Sequence, residues 1–308
     1  MKPRDINLVV VTGAGSGIGR ATSARFARDG AIVICLDIDK GSAVETVGLI
    51  GAEGGTAYAH KLDVADAAAY EKLASLVKRK YGVPDVVVNN AGIVTVGGTL
   101  SHSVEDWNRV LGVNLSGVIH GCRLFGAQMA DRGTGGHLVN IASAAAFAPI
   151  AAGPSYCASK AAVRMLSESL RAELGSEGIG VSVICPGLIV TNLSGSARYL
   201  GVDDREEADR NSILHTAFAQ GQRIGLSYGP DTVATAIVRS VHHNWAIVPV
   251  RPEAWMLYAL SRVSPQLTRV VARLTGEGFV EKLMQALEAP NPRTAFARLT
   301  RPHASEPA

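Results

Sequence analysis

Tyr156 and Lys160 stand four residues apart in the run Tyr156-Cys157-Ala158-Ser159-Lys160, near the start of a predicted helix. Side chains at i and i+4 share one helix face. A free tyrosine has a pKa near ~10 and is a poor base at neutral pH. A neighbouring ammonium favours the phenolate and brings that pKa toward the working range. The pair is a candidate for proton transfer, although the same spacing also arises as an ordinary surface pair. Ser143, 13 residues before Tyr156, adds a hydroxyl. A second chemistry is written in Thr12-Gly13-Ala14-Gly15-Ser16-Gly17-Ile18-Gly19. Glycines let the backbone turn tightly and approach a pyrophosphate closely, and a following helix aims its free N–H groups at the anion. Asp37 lies 18 residues after Gly19, at the end of the second predicted strand. A carboxylate there accepts hydrogen bonds from both adenosine ribose hydroxyls and repels a 2′-phosphate. Position 16 is Ser and position 38 is Ile, so no cation attracts such a phosphate. The pattern favours NAD over NADP, with Arg20 as the residue that speaks against it.

These residues need elements to hold them. The apolar run Leu8–Val11 reads as a strand buried on both faces, and Arg20–Asp29 as the helix after the glycine turn. The same alternation continues through strands at Ala31–Leu36, Ala57–Leu62, Val86–Asn89, His137–Ile141, Gly180–Cys185 and Ala246–Val250. Helical patterns lie between them, among them a long one over Val104–Arg132 and the Tyr156 helix over Ser155–Gly175. Seven strands alternating with helices require a parallel sheet covered on both faces, a doubly wound α/β domain of Rossmann type. In such a sheet ligands bind beyond the carboxyl ends of the strands. Most of the marked residues fall there: Asp63-Val64, Asn89-Asn90-Ala91-Gly92, Ser143, and Pro186-Gly187 with Thr191 four residues on. Asn114 sits in the middle of the long helix.

The chain has 308 residues, 47% of them hydrophobic, and a formal net charge of +3. It can bury a large core, and no nucleic-acid footprint is indicated. The four cysteines form no C-x-x-C pair, so neither a zinc site nor a redox pair is expected, and no metal is called for. Cys35 and Cys185 fall in strand patterns and read as buried free thiols. No signal-peptide pattern and no run long and apolar enough to span a membrane is evident, so the expected location is cytoplasmic.

Together the glycine turn, Asn-Asn-Ala-Gly, the Ser143/Tyr156/Lys160 set and Pro186-Gly187-x-x-x-Thr191 resemble the short-chain dehydrogenase/reductase family, from about Asn7 to Val250. The resemblance implies that Tyr156 is the general acid/base and that Ser143 orients the substrate oxygen. It implies that Lys160 holds the nicotinamide ribose and lowers the Tyr156 pKa, and that Asn114 holds a proton-relay water. It places Gly13, Ser16, Gly17, Ile18 and Gly19 around the phosphates, and Asp37 and Ile38 at the adenosine ribose. Asp63 and Val64 flank the adenine, Asn90 contacts the adenosine-side ribose through its backbone, Ala91 and Gly92 also bind the cofactor, and Pro186, Gly187, Ile189 and Thr191 touch the nicotinamide end. It also implies a homodimer or homotetramer.

The remaining segments are a substrate lid over residues 191–229 and an extension over 251–308. In the lid Leu193, Tyr199, Leu200, Ile213, Leu214 and Phe218 suggest an apolar pocket for a hydrophobic secondary alcohol or ketone. In the extension eight Lys/Arg stand against five Asp/Glu, and Arg262, Arg269 and Arg273 interleave with apolar residues. That basic amphipathic pattern suits either a peripheral membrane contact or packing on the protein itself. Two other functions compete: an NADP-dependent 3-oxoacyl thioester reductase, and a cofactor-binding sensor or scaffold without turnover.

Overall fold

The computed structural model describes residues 6–149, 153–187, 189, 197–212, 228–264 and 266–268. The chain opens as β1 (Leu8–Thr12), α1 (Gly17–Arg28), β2 (Ile32–Asp37), α2 (Lys40–Ala52), β3 (Thr56–Lys61), α3 (Ala67–Lys80) and β4 (Val86–Asn89). A short β5 (Thr95–Val96) precedes α4 (Val104–Leu111), a π-helical turn (Gly112–Ser116) and α5 (Gly117–Arg132). Then come β6 (Gly136–Ile141), α6 (Pro154–Leu174), β7 (Ile179–Pro186), β8 (Arg198–Tyr199), a helical stretch at 204–212, α7 (Pro230–His243), β9 (Ile247–Val250) and α8 (Pro252–Val263).

Seven strands form one parallel sheet in the order β3-β2-β1-β4-β6-β7-β9. β1, β4, β6 and β7 are buried along their whole length, as a sheet covered on both faces demands. One core layer, with Tyr70, Phe125, Met129 and Val163, packs α3, α5 and α6 onto one face. The other, with Phe26, Ile50 and Ile237, packs α1, α2 and α7 onto the opposite face. Strand order reverses between β1 and β4, which opens a crevice above Thr12 and Asn89. The doubly wound fold and its seven strands are therefore as the sequence predicts.

A polar ladder crosses the first core layer. Asn89 Nδ2 donates to Asn140 Oδ1 at 2.8 Å, and Asn140 Nδ2 donates to Ser167 Oγ at 2.9 Å. All three side chains are buried. Removing one partner from such a pair costs about 1–3 kcal/mol, so the ladder fixes β4, β6 and α6 in register. α5 approaches β4 closely at Gly121, where a Cβ would run into the Asn89 amide.

The structure adds three features. The long helix is interrupted by the π turn. β5 and β8 form a small parallel pair outside the main sheet. Finally, the continuous helical run Val104–Arg132 is long and apolar enough to cross a membrane, with mean hydropathy 1.2. This corrects the expectation that no such run exists. Here Val118, Cys122, Phe125 and Met129 bury one side of it in the core. In the extension, α8 likewise turns Ala254, Leu257 and Tyr258 toward the body of the protein and leaves Trp255 and Met256 exposed. Arg269 and Arg273 lie outside the described residues.

Candidate active site

The glycine turn is stapled to β4. Asn90 Nδ2 donates to the Thr12 and Gly13 carbonyls at 2.9 and 3.2 Å. The Asn90 and Ala91 amides donate to Thr12 Oγ1 at 2.9 and 3.0 Å. Gly13 has φ +62 and Gly17 has φ +49, the left-handed region that favours glycine. A Cβ on Gly13 would sit 3.0 Å from the Ala91 Cα. Ser16 occupies the N-cap of α1 but makes no side-chain cap, and the first turn carries no acid. The helix N-terminus is thus left open toward an anion.

Asp37 closes this end. Its Oδ2 accepts from the Gly15 amide at 2.8 Å and its Oδ1 from the Asp39 amide at 3.0 Å. Arg20 is committed elsewhere. Its Nε donates to Thr46 Oγ1 at 3.0 Å, and its Nη2 reaches the Gly15 carbonyl and, at 3.0 Å, Glu45.

The other end of the same cavity, which encloses about 370 Å³, holds the titratable side chains. Lys160 is 3% exposed, and its Nζ donates to the Ile141 carbonyl at 2.9 Å. The same nitrogen lies 5.6 Å from the Tyr156 ring centroid. Burial pulls the Lys160 pKa down to about 8. Burial also raises the Tyr156 pKa, opposed by a hydrogen bond from Ser143 and reinforced by the Cys157 and Cys185 thiols. Desolvation is the largest of these influences on the tyrosine. Asn114 is fully buried in the π turn. Its amide brackets Ile93, accepting from the Ile93 amide at 2.8 Å and donating to the Ile93 carbonyl at 2.9 Å. It also donates to Ser159 Oγ at 3.1 Å. A Cβ on Gly92 would lie 3.4 Å from both Asn114 Oδ1 and Lys160 Nζ, an ordinary contact distance, so Gly92 faces both groups.

Most of the residues marked in the sequence share this cavity. Gly13, Ser16, Gly17, Ile18, Asp37 and Ile38 form one end of its wall. Asp63, Val64, Asn90, Ala91 and Gly92 form the middle, and Ser143, Tyr156, Lys160, Pro186 and Ile189 the far end. Three stand behind the wall. Gly19 packs under the Gly13 carbonyl, Gly187 lies against Glu253, and Asn114 sits beyond Gly92. Thr191, Leu193, Ile213, Leu214 and Phe218 lie outside the described residues. Leu62, Ile93, Val113, Ile141 and Ala142 also line the cavity. Ile93 belongs to the apolar run Ile93–Val96 that the sequence places near the site, Leu62, Val113 and Ala142 adjoin marked residues, and Ile141 lies two residues before Ser143.

These features fit a nicotinamide dinucleotide: glycines that admit a pyrophosphate, an uncapped helix end and a carboxylate at the far rim. Comparison with known proteins points the same way. Residues 7–199 match the short chain dehydrogenase family. The chain is 49% identical over 269 residues to "Probable oxidoreductase EphD" of Mycobacterium tuberculosis, covering 87% of this chain and 45% of that protein. It therefore spans about half the length of that relative. It is 37% identical over 190 residues to "Meso-2,3-butanediol dehydrogenase" of Serratia marcescens, covering 62% of this chain and 74% of the relative. A short chain dehydrogenase/reductase from Burkholderia phymatum, solved with NAD, superposes with TM-score 0.73 at 29% identity, covering 88% of this chain and 97% of that one. With fold, cavity and relatives in agreement, the chain belongs to the short-chain dehydrogenase/reductase family of oxidoreductases.

Proposed function

We propose that the protein is an NAD(H)-dependent enzyme that interconverts a hydrophobic secondary alcohol and its ketone. The observation that carries this reading is a single cavity with Asp37 at one end and Ser143, Tyr156 and Lys160 at the other. When bound, the dinucleotide supplies the hydride chemistry. Tyr156, as phenolate, takes the hydroxyl proton in the oxidative direction and returns it in the reductive one. Ser143 holds the substrate oxygen and stabilises the charge that develops on it. Lys160, anchored on Ile141, offers its remaining N–H groups toward the nicotinamide ribose. Asn114, on Gly92's far side, holds the water that carries protons away from Lys160.

The choice of NAD rests on the Asp37 carboxylate and on Arg20, whose guanidinium is already held by Gly15, Glu45 and Thr46. A hydrophobic substrate is supported by Ile93, Val113 and Ala142, apolar residues of the cavity wall to which no cofactor contact is assigned. The name of the Serratia relative, a dehydrogenase of a secondary diol, fits the same reaction type. The test is absorbance at the NADH band with NAD⁺ or NADP⁺, a panel of hydrophobic and of small polar secondary alcohols, and Tyr156→Phe alongside. Turnover that prefers NAD⁺ and hydrophobic alcohols, and vanishes in the variant, is the expected result. Preference for NADP⁺ would move the protein to the reductase reading. Tight NAD⁺ binding without turnover in either direction would favour the sensor.

A further inference from the structure

Arg251 has φ +97 and ψ 155, a conformation that L-residues rarely adopt. Glycine would take this backbone without strain. The chain places an arginine there, at the junction of β9 and α8, and buries it: its side chain is 8% exposed. Its guanidinium stacks on the Tyr228 ring, 3.4 Å from the centroid. Its Nε lies 2.9 Å from Glu253 Oε1 and 3.1 Å from Oε2, and its Nη1 has no hydrogen-bond partner among the described residues. A strained backbone and an unpaired buried donor persist only where surrounding contacts over-determine the site.

Those contacts converge on one stretch of the cavity wall. Tyr228 bridges to Ile189. Glu253 lies so close to Gly187 that a Cβ there would collide with its carboxylate. Pro186 is the register partner of Val250, and the Gly187 amide donates to the Val250 carbonyl at 3.2 Å. Pro186 and Ile189 line the cavity at its catalytic end. So the segment with Pro186, Gly187 and Ile189 is gripped on its outer side by residues 228 and 250–253. The grip closes through the Arg251 guanidinium.

We infer that Arg251 and Glu253 are positioning residues that set the nicotinamide end of the cavity by clamping Pro186, Gly187 and Ile189. They touch no reacting atom and act through the wall. The inference rests on the dinucleotide reading of the cavity proposed above.

The experiment compares two ligands that share the adenosine end. NADH carries the nicotinamide and ADP-ribose lacks it. Affinities of the full chain for each are measured by calorimetry, beside Arg251→Gly and Glu253→Gln, with circular dichroism to verify that both variants fold. Arg251→Gly removes the guanidinium while glycine accepts the positive φ, which protects the fold. Glu253→Gln keeps the volume and removes the ion pair. The expected result is NADH binding weakened about tenfold, a loss of about 1.4 kcal/mol in contact between the nicotinamide and the displaced wall. ADP-ribose binding should stay within about twofold of wild type, because it lacks the nicotinamide ring that the clamped wall touches. Equal losses for both ligands in the folded variants, or no loss for either, would overturn the inference. A wild type that binds neither ligand overturns the cofactor reading itself, and the clamp with it.

Discussion

The two ends of the cavity are built from different materials. The end closed by Asp37 is made of main chain: a glycine turn, an uncapped helix and a carboxylate fixed by two backbone amides. Its parts come from neighbouring segments, and Asn90 and Thr12 staple them together at the surface of the sheet. The end holding Tyr156 and Lys160 is made of side chains, buried at Lys160, Ser159 and Asn114 and half-buried at Tyr156 and Ser143, that come from α6, the segment after β6 and the π turn, remote in sequence from one another. The first end works by geometry that glycine permits. The second works by desolvation, which sets the protonation of its groups and must be balanced by specific partners. Main-chain sites survive many substitutions, whereas a buried charge is exposed to each change around it.

Four substitutions sharpen this contrast. Tyr156→Phe is expected to lower turnover by about 10²–10⁴-fold, the usual contribution of a positioned acid/base, with cofactor affinity nearly unchanged in direct titration. A comparable loss of NADH affinity would mean that the two ends are not separable. Lys160→Met tests desolvation. With its folded pKa near 8 against 10.5, the buried lysine makes the unfolded chain bind more protons between those values, so its cost is full below pH 8 and fades as pH rises to 10.5. That cost is about 3 kcal/mol on the pKa difference. The variant should therefore gain stability relative to wild type at pH 7 in urea melts and lose the gain by pH 10. A pH-independent difference would contradict the assignment. Asn114→Ala leaves the Ile93 amide and carbonyl without their partner and should cost about 1–3 kcal/mol in the same melts. The smallest effect is expected at the main-chain end. Asp37→Ser should weaken NAD⁺ about tenfold and narrow the preference over NADP⁺, read by titration of both.

The same contrast explains what the sequence disclosed. The inner strands of the sheet were legible because both faces are buried, so their residues form unbroken apolar runs such as Leu8–Val11 and Val86–Val88, whereas the edge strand β3 has no buried residue and was legible from its place in the alternation. The glycine turn and Asp37 were legible because their spacing is a local geometric demand. Tyr156, Lys160 and Ser143 were legible through family resemblance rather than through periodicity. Their environment was not legible. That Lys160 is anchored on the Ile141 carbonyl, or that Gly92 faces both it and Asn114, follows from packing between distant segments. The π turn left no mark on the hydrophobic period of a long helix. Arg251 escaped notice because its importance lies in its backbone angle, which composition does not encode.

The π turn bears on insertion and deletion. A turn with i→i+5 bonding takes up one more residue than an α-helical turn. Each residue of an α-helix adds about 100° of rotation and ~1.5 Å of rise. Deleting one residue between Gly112 and Ser116 would let α4 and α5 join as a regular helix. The two halves would stay nearly in phase, because the residue lost is the one that the wider turn takes up. Only the turn itself would change, so Asn114 would leave Ile93 and Ser159 while the Val118, Phe125 and Met129 face kept its place in the core. The extra residue therefore acts as a local blister, presenting one side chain to the cavity while the helix on either side keeps its seat.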